Sequence, residues 1–228
     1  MAAAKKRTST DSLARLASDV HKCTACPRLV EWREQVARDK RASFRDDVYW
    51  GRGVSGFGDE RARLLVLGLA PAAHGANRTG RVFTGDRSGD WLYRAMYRAG
   101  FANQETSRHR DDGLILKRAW VTAAVKCAPP GNAPLPGEKA ACRPFLEREL
   151  TLLADLRVIV CLGNFAYQAA CEHLAVRPRP KFAHGLEFSH DDFTLLCSFH
   201  PSQQNTFTGK LTEPMLDAVF TRARELCR

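Results

Sequence analysis

No stretch of this chain is apolar for long enough to cross a bilayer as a helix. The opening residues, MAAAKKRTSTDS, lack the apolar middle of a secretory signal, so residues 1–11 read as a short flexible basic tail. Internal repeats are missing, and no Pro- or Gly-rich linker divides the chain. With 228 residues of which 44% are hydrophobic, residues 12–228 suit one domain with a proper core. Nothing marks the chain as secreted. The expectation is therefore a cytoplasmic monomer, nucleoid-associated in a prokaryote, whose eight cysteines are ligands, nucleophiles or core residues before they are disulfides. Acidic residues fall short of basic ones by 10. That surplus points to a polyanion, nucleic acid first, since no basic amphipathic helix argues for a membrane.

What is present is organised around Val66 to Gly89. An apolar run, Leu64-Leu65-Val66-Leu67, reads as a buried strand that ends at Gly68 and Pro71. The loop beyond it mixes His74, Asn77, Arg78, Arg81 and Asp86 with glycines at 75, 80, 85 and 89, and Phe83 is its one aromatic. A helical pattern follows from about Gly89 to Arg98. Strand, long glycine-rich loop, helix is how an α/β protein brings ligand chemistry to the carboxyl end of a strand. Three more strands are expected at Ala119–Val125, Arg157–Leu162 and Phe193–Phe199. The intervening helices lie near Gly137–Leu153 and Asn164–Leu174, and others near Ser12–Val20, Arg28–Arg38 and Glu213–Cys227. Residues 39–63, 102–116 and 176–190 read as irregular. Four strands alternating with helices predict a mainly parallel sheet covered on both faces. Right-handed crossovers then gather the loop after Gly68, the Cys127–Asn132 loop, Gly163 and His200 on one edge.

Cys23 and Cys26 form a C-x2-C, while Cys127 sits at a strand end and Cys142 in the next helix. Four thiolates of this kind fit either a [4Fe–4S] cluster or tetrahedral zinc. Cys161 and Cys197 fall inside apolar strands and read as inert core. His200 follows a buried strand and faces the same edge as the long loop. His184 and His190 read as solvated.

Three long stretches carry a resemblance: GLAPAAHGANRTGRVFTGDRSG at 68–89, VTAAVKCAPPGNAP at 121–134 and HPSQQNTFTGKLT at 200–212. With C-x2-C-P-R-L-V at 23–30 and Y-W-G-R-G at 49–53, they make the chain resemble the family 5, or type B, uracil-DNA glycosylases from about residue 20 onward. The resemblance implies a three-layer αβα sandwich around a four-stranded, mainly parallel sheet. It also implies a monofunctional hydrolase, without lyase activity, that cuts the bond from uracil N1 to deoxyribose C1′ in DNA.

Within that resemblance Phe83 matches the aromatic on which the flipped base stacks, and His200 the donor to uracil O2. The loop backbone around Ala70 and Ala72 would help to hold the base. Where related enzymes carry Asp, Glu or Asn to orient water, this chain has Ala72 and Ala73, which is the type B pattern. Asp86 is then the nearest carboxylate, as a catalytic group or as a helix cap. Ala123 replaces an asparagine that reads uracil in type A enzymes, and Asn132 is the substitute expected from the cysteine loop. DNA contacts are expected from His74, Asn77, Arg78, Arg81, Ser202, Gln204, Asn205 and Lys210. Type B enzymes accept several deaminated bases, so hypoxanthine is expected beside uracil. A structural [4Fe–4S] cluster on Cys23, Cys26, Cys127 and Cys142 is the preferred occupant, ahead of zinc. The competing reading is a non-catalytic iron–sulfur or zinc DNA-binding module.

Overall fold

The computed structural model describes residues 11–228, so the expected basic tail lies outside the described residues except for Asp11. That residue is no part of a free tail: its carboxylate accepts two hydrogen bonds from Arg148 at 2.7 and 2.9 Å.

The helices of the first third are α1 (Leu13–Lys22) and α2 (Pro27–Asp39). Ser12 caps α1 by accepting the Arg15 N–H, and Pro27 opens α2 directly after Cys26. The sheet then begins with β1 (Phe57–Gly58) and β2 (Leu64–Gly68). After β2 come the short α3 (Ala76–Thr79) and α4 (Arg87–Arg98), then β3 (Ala119–Ala123) and α5 (Pro136–Leu152). The remaining elements are β4 (Val158–Leu162), α6 (Asn164–His173), β5 (Glu187–His190), β6 (Phe193–Ser198), α7 (Gln203–Phe207) and α8 (Glu213–Leu226).

The strand order is β1-β3-β2-β4-β6-β5. The central four are parallel, as expected, and they are flanked by two antiparallel edges. The count is therefore six rather than four. The two additions are short, and their partly exposed residues lack the apolar run that announces a buried strand. β5 lies within 176–190, a segment whose sequence predicts irregular structure throughout. There His190 is held by the Leu174 carbonyl at 2.9 Å, and His184 accepts the Phe199 N–H at 3.2 Å. Neither histidine is simply solvated.

Alternation along the strands splits the core into two layers. Leu64, Val66, Val121, Val158 and Val160 face α4 and α8 on one side. Leu65, Leu67, Ile159, Cys161 and Cys197 face the α5 and α6 layer on the other, so Cys161 and Cys197 are core residues. No helix among the described residues is long and apolar enough to cross a membrane.

One buried polar knot was not expected from sequence. Lys126, only 1% exposed, donates to Glu149 at 2.7 Å and to Thr122 at 2.6 Å. Glu149 also accepts the Gly56 N–H at 3.2 Å. The knot ties β3, α5 and the 50s loop together immediately before Cys127. Lone charges are strongly disfavoured in such a place, and here each is paired.

Candidate active site

Chain reversal at the carboxyl ends of the parallel strands opens a cavity of 590 Å³. Leu69, Ala70, Ala72, Val82, Phe83, Asp86, Arg87, Ser88, Asn132, His200, Ser202, Gln203 and Gln204 are among the residues lining it. Of the residues expected in the base pocket and the catalytic pair, all six border this one space.

Phe83 adopts φ 52°, a left-handed conformation that is uncommon for an aromatic residue. This turns its ring onto Gly68, where a side chain would have no room: a Cβ there would lie 2.7 Å from Phe83 Cε2 and Cζ. The ring centroid stands 5.9 Å from that of His200, with the planes tilted by 33°. His200 follows β6, and its carbonyl is fastened by the Asn205 amide at 2.8 Å. Burial pushes its imidazole down to about 4, so the ring is neutral near pH 7.

Asp86 is the N-cap of α4, and its Oδ1 accepts the Gly89 N–H at 3.0 Å. It also lines the cavity. Burial pushes its carboxyl up to about 6, against the hydrogen bonds from Gly89 and Ser88. The cap expected as one alternative is present, and the same side chain borders the cavity. Asn132, in a left-handed turn at φ 56°, is exposed at the lip of the cavity.

A second, more open cavity of 740 Å³ adjoins the first. The two share Ala72, Asp86, Arg87, Asn132 and Gln203, and the second adds Arg41, His74, Arg78 and Arg108. Sequence reasoning missed Arg41, Arg87 and Arg108. Arg87 directly follows Asp86, which was a usable signal, but nothing in the pattern around Arg41 or Arg108 announced them. The Arg87 guanidinium lies 4.4 Å above the ring of Phe207, which is 66% exposed.

Two expected DNA contacts face the wrong way. Arg81 is 6% exposed, and its donors go to Asp112 at 2.7 and 2.8 Å, Ser107 at 2.7 Å, Thr84 at 3.0 Å and the Arg110 carbonyl at 2.9 Å. Buried and committed to these partners, the guanidinium does not face solvent. Asn77 is fully buried and donates to the Arg33 carbonyl at 3.1 Å. Sequence could not show this, because the partner carboxylate of Arg81 comes from the irregular 102–116 segment. Arg78 is partly buried and held by Asp47 at 2.6 Å and two carbonyls. His74 pairs with Tyr49 Oη at 3.0 Å, and burial lowers its imidazole, with Arg41 and Arg78 adding to the effect. Ser202 caps α7 by accepting the Asn205 N–H at 3.3 Å. Gln204 and Lys210 are exposed.

On the far side of the 70s loop, Cys26, Cys127 and Cys142 pack with Leu29, Val125, Ala70 and Phe165. The thiols of Cys23 and Cys26 are close enough to Cys127 to add to the burial that pushes its pKa up, and burial takes Cys142 to about 12. Among the described residues no group of three or more His, Cys, Asp or Glu is arranged to hold a single metal ion. The donor set nevertheless suits a sulfur-ligated group. It offers four thiols together with two N–H donors aimed at sulfur, Arg33 Nη1 to Cys127 Sγ at 3.0 Å and the Lys126 amide to Cys142 Sγ at 3.5 Å. Hydrogen bonds to ligand sulfurs are a usual part of iron–sulfur sites.

Residues 55–224 match the family model described as the uracil DNA glycosylase superfamily. The chain is similar to a type-5 uracil-DNA glycosylase of Mycobacterium bovis, 52% identical over 94% of this chain and 82% of that one. It is likewise similar to a type-5 uracil-DNA glycosylase of Thermus thermophilus, 48% identical over 90% of this chain and 93% of that one. Similarity to a type-4 uracil-DNA glycosylase of Archaeoglobus fulgidus is weaker, 33% over 50% of each chain.

Proposed function

The chain belongs to the uracil-DNA glycosylase superfamily and to its type-5 members, and from that premise we propose how its residues divide the work of removing uracil from DNA. The reaction is hydrolysis of the N-glycosidic bond, which leaves an abasic site. The target nucleotide leaves the stack, at a cost of a few kcal/mol, and its base enters the 590 Å³ cavity. There it stacks on Phe83, with Ala70 and Ala72 beside it and Asn132 at its polar edge. The observation that carries this reading is the facing pair of rings, Phe83 and His200, 5.9 Å apart on the wall of that cavity.

As the bond to C1′ breaks, its electron pair goes to the base and negative charge grows on uracil O2. A fixed donor aimed there lowers the barrier. His200 supplies it as a neutral imidazole, in keeping with a pKa pushed down to about 4. Asp86, ionised above about pH 6, stabilises the cationic sugar and orients the water whose oxygen adds to C1′. The water's surplus proton passes through this carboxylate to solvent. The open basic trough with Arg41, Arg78, Arg87, Arg108 and His74 takes the flanking phosphates, together with Ser202, Gln204 and Lys210.

A [4Fe–4S] cluster on Cys23, Cys26, Cys127 and Cys142 pins the N-terminal helices to the β3–α5 loop. It is structural, since hydrolysis needs no electrons. We further propose one domain, acting as a cytoplasmic monomer, with hypoxanthine accepted beside uracil, as the resemblance to the type B enzymes implies. The test is incubation with duplexes carrying U, hypoxanthine or T opposite each base, followed by alkali. Strand breaks at U and hypoxanthine only after alkali are expected. Breaks before alkali would show a lyase step, and no breaks at all would reduce the protein to a binding module.

A further inference from the structure

Among the described residues five charged side chains are buried, and four of them have a partner of opposite charge: Arg81 pairs with Asp112, Lys126 with Glu149, and Glu138 with Arg28. Arg33 is the fifth. It projects from α2, is 3% exposed, and its partners are a thiol and a carbonyl. Nη1 donates to Cys127 Sγ at 3.0 Å and Nη2 to the Cys23 carbonyl at 3.1 Å. Its Nε is buried without any hydrogen-bond partner. A guanidinium cannot shed its proton to escape such a place, and an uncompensated buried charge is strongly unfavourable. No carboxylate is hydrogen-bonded to it or within ion-pair distance among the described residues.

The missing anion is supplied if the four cysteines bind as thiolates. Four thiolates around a dicationic iron–sulfur core leave two negative charges beside this guanidinium. We infer that Arg33 is the counter-ion of the cluster, holding one ligand sulfur by a charge-assisted hydrogen bond and offsetting part of the charge of the whole group. This rests on the cluster reading above and assigns a role to a residue outside the ligand set. It also explains why the fork is fixed at both ends of the cysteine constellation, reaching Cys127 from the middle of the chain and the Cys23 backbone from its start.

Anaerobically purified protein tests this through its visible sulfur-to-iron absorption and its iron content. In R33M, which keeps the stem's volume but not the charge, the absorption is expected to bleach about tenfold faster in air with an iron chelator, the scale of losing one hydrogen bond to a charged group. R33K keeps the charge and should bleach at close to the wild-type rate. The midpoint for adding one electron should move negative in R33M by about 59 mV per tenfold change in the equilibrium, and much less in R33K. A packing role would produce the opposite order, with R33M the better substitute. R33M indistinguishable from wild type, or R33K as labile as R33M, overturns the assignment. Should R33M not fold, R33Q against R33K makes the same comparison. Wild-type protein without iron would instead sink the cluster reading, and that is seen before any variant is made.

Discussion

Gly68 and Phe83 are in contact so close that a β-carbon on the glycine would lie 2.7 Å from the ring edge. Gly68 ends the first parallel strand, and Phe83 lies on the loop that the strand launches, so the missing side chain is what lets the ring lie over the strand end. Gly68→Ala should push the ring into the cavity without preventing folding, since overpacking costs about 1–3 kcal/mol. The base then loses its stacking partner, worth roughly 1–3 kcal/mol. Single-turnover uracil removal is expected to fall about 10–100-fold, and Phe83→Ala should fall by a similar factor. Full activity in Gly68→Ala would mean that the base rests on some other surface.

The arginines of the 78–108 region should separate by salt dependence. Arg87, Arg108 and Lys210 are exposed, and if they take the flanking phosphates as proposed, removing each charge should flatten the slope of log K against log salt by about one unit. Arg81 spends its donors on Asp112, Ser107 and neighbouring oxygens. Arg81→Ala should leave the slope unchanged and destabilise the fold by about 3–5 kcal/mol, the range for orphaning one member of a buried pair. Binding isotherms at several salt concentrations, with thermal melts alongside, distinguish the two groups. A flattened slope in a stably folded Arg81→Ala would show that the guanidinium turns outward on DNA.

Lys126 and Glu149 make a comparable prediction about the cysteine loop. Lys126→Met leaves Glu149 charged and buried, and should cost about 3–5 kcal/mol. The double variant Lys126→Met, Glu149→Leu removes both charges and should recover much of that loss. Denaturant unfolding of the two singles and the double measures the coupling. Simple additivity would show that the pair is not coupled in the folded protein.

The parallel core was legible because four strands alternate with helices and three of them are continuous apolar runs, and so was the edge on which the loops meet. Phe83, Asp86 and His200 could be placed at that edge because each follows a strand or opens a helix. What stayed hidden depends on partners distant in sequence. Arg81 reads as a DNA contact until Asp112 is brought beside it, and nothing in the sequence around Lys126 announces Glu149, which reaches it from α5. The edge strands β1 and β5 escaped for a different reason. With one face open to solvent and only two and four residues in length, neither carries the pattern of a buried strand.

The division of labour between His200 and Asp86 should appear in the pH profile. Asp86 is raised from 3.8 to about 6 by burial, whereas His200 is lowered to about 4. At neutral pH the carboxylate is ionised and the imidazole neutral, which is the pairing the proposed mechanism needs. On acidification Asp86 takes up its proton first. Single-turnover rates should therefore fall below an apparent pKa near 6, while His200 is still neutral there. Asp86→Asn should remove that limb and slow cleavage at pH 7 by roughly 10²-fold. It should not lower the melting temperature at pH 7. Asparagine is an equally good helix cap, and a raised carboxyl pKa means that ionised Asp86 loses stability as pH rises from about 4 to about 6. His200→Ala should cut the rate by about 10²–10³, the range for losing one oxyanion donor, with affinity for DNA holding a non-cleavable uracil almost unchanged. If Asp86→Asn keeps both the wild-type rate and the acid limb, the carboxylate is only a cap. Water activation would then fall to the loop backbone, the DNA phosphates and the reactivity of the oxocarbenium itself.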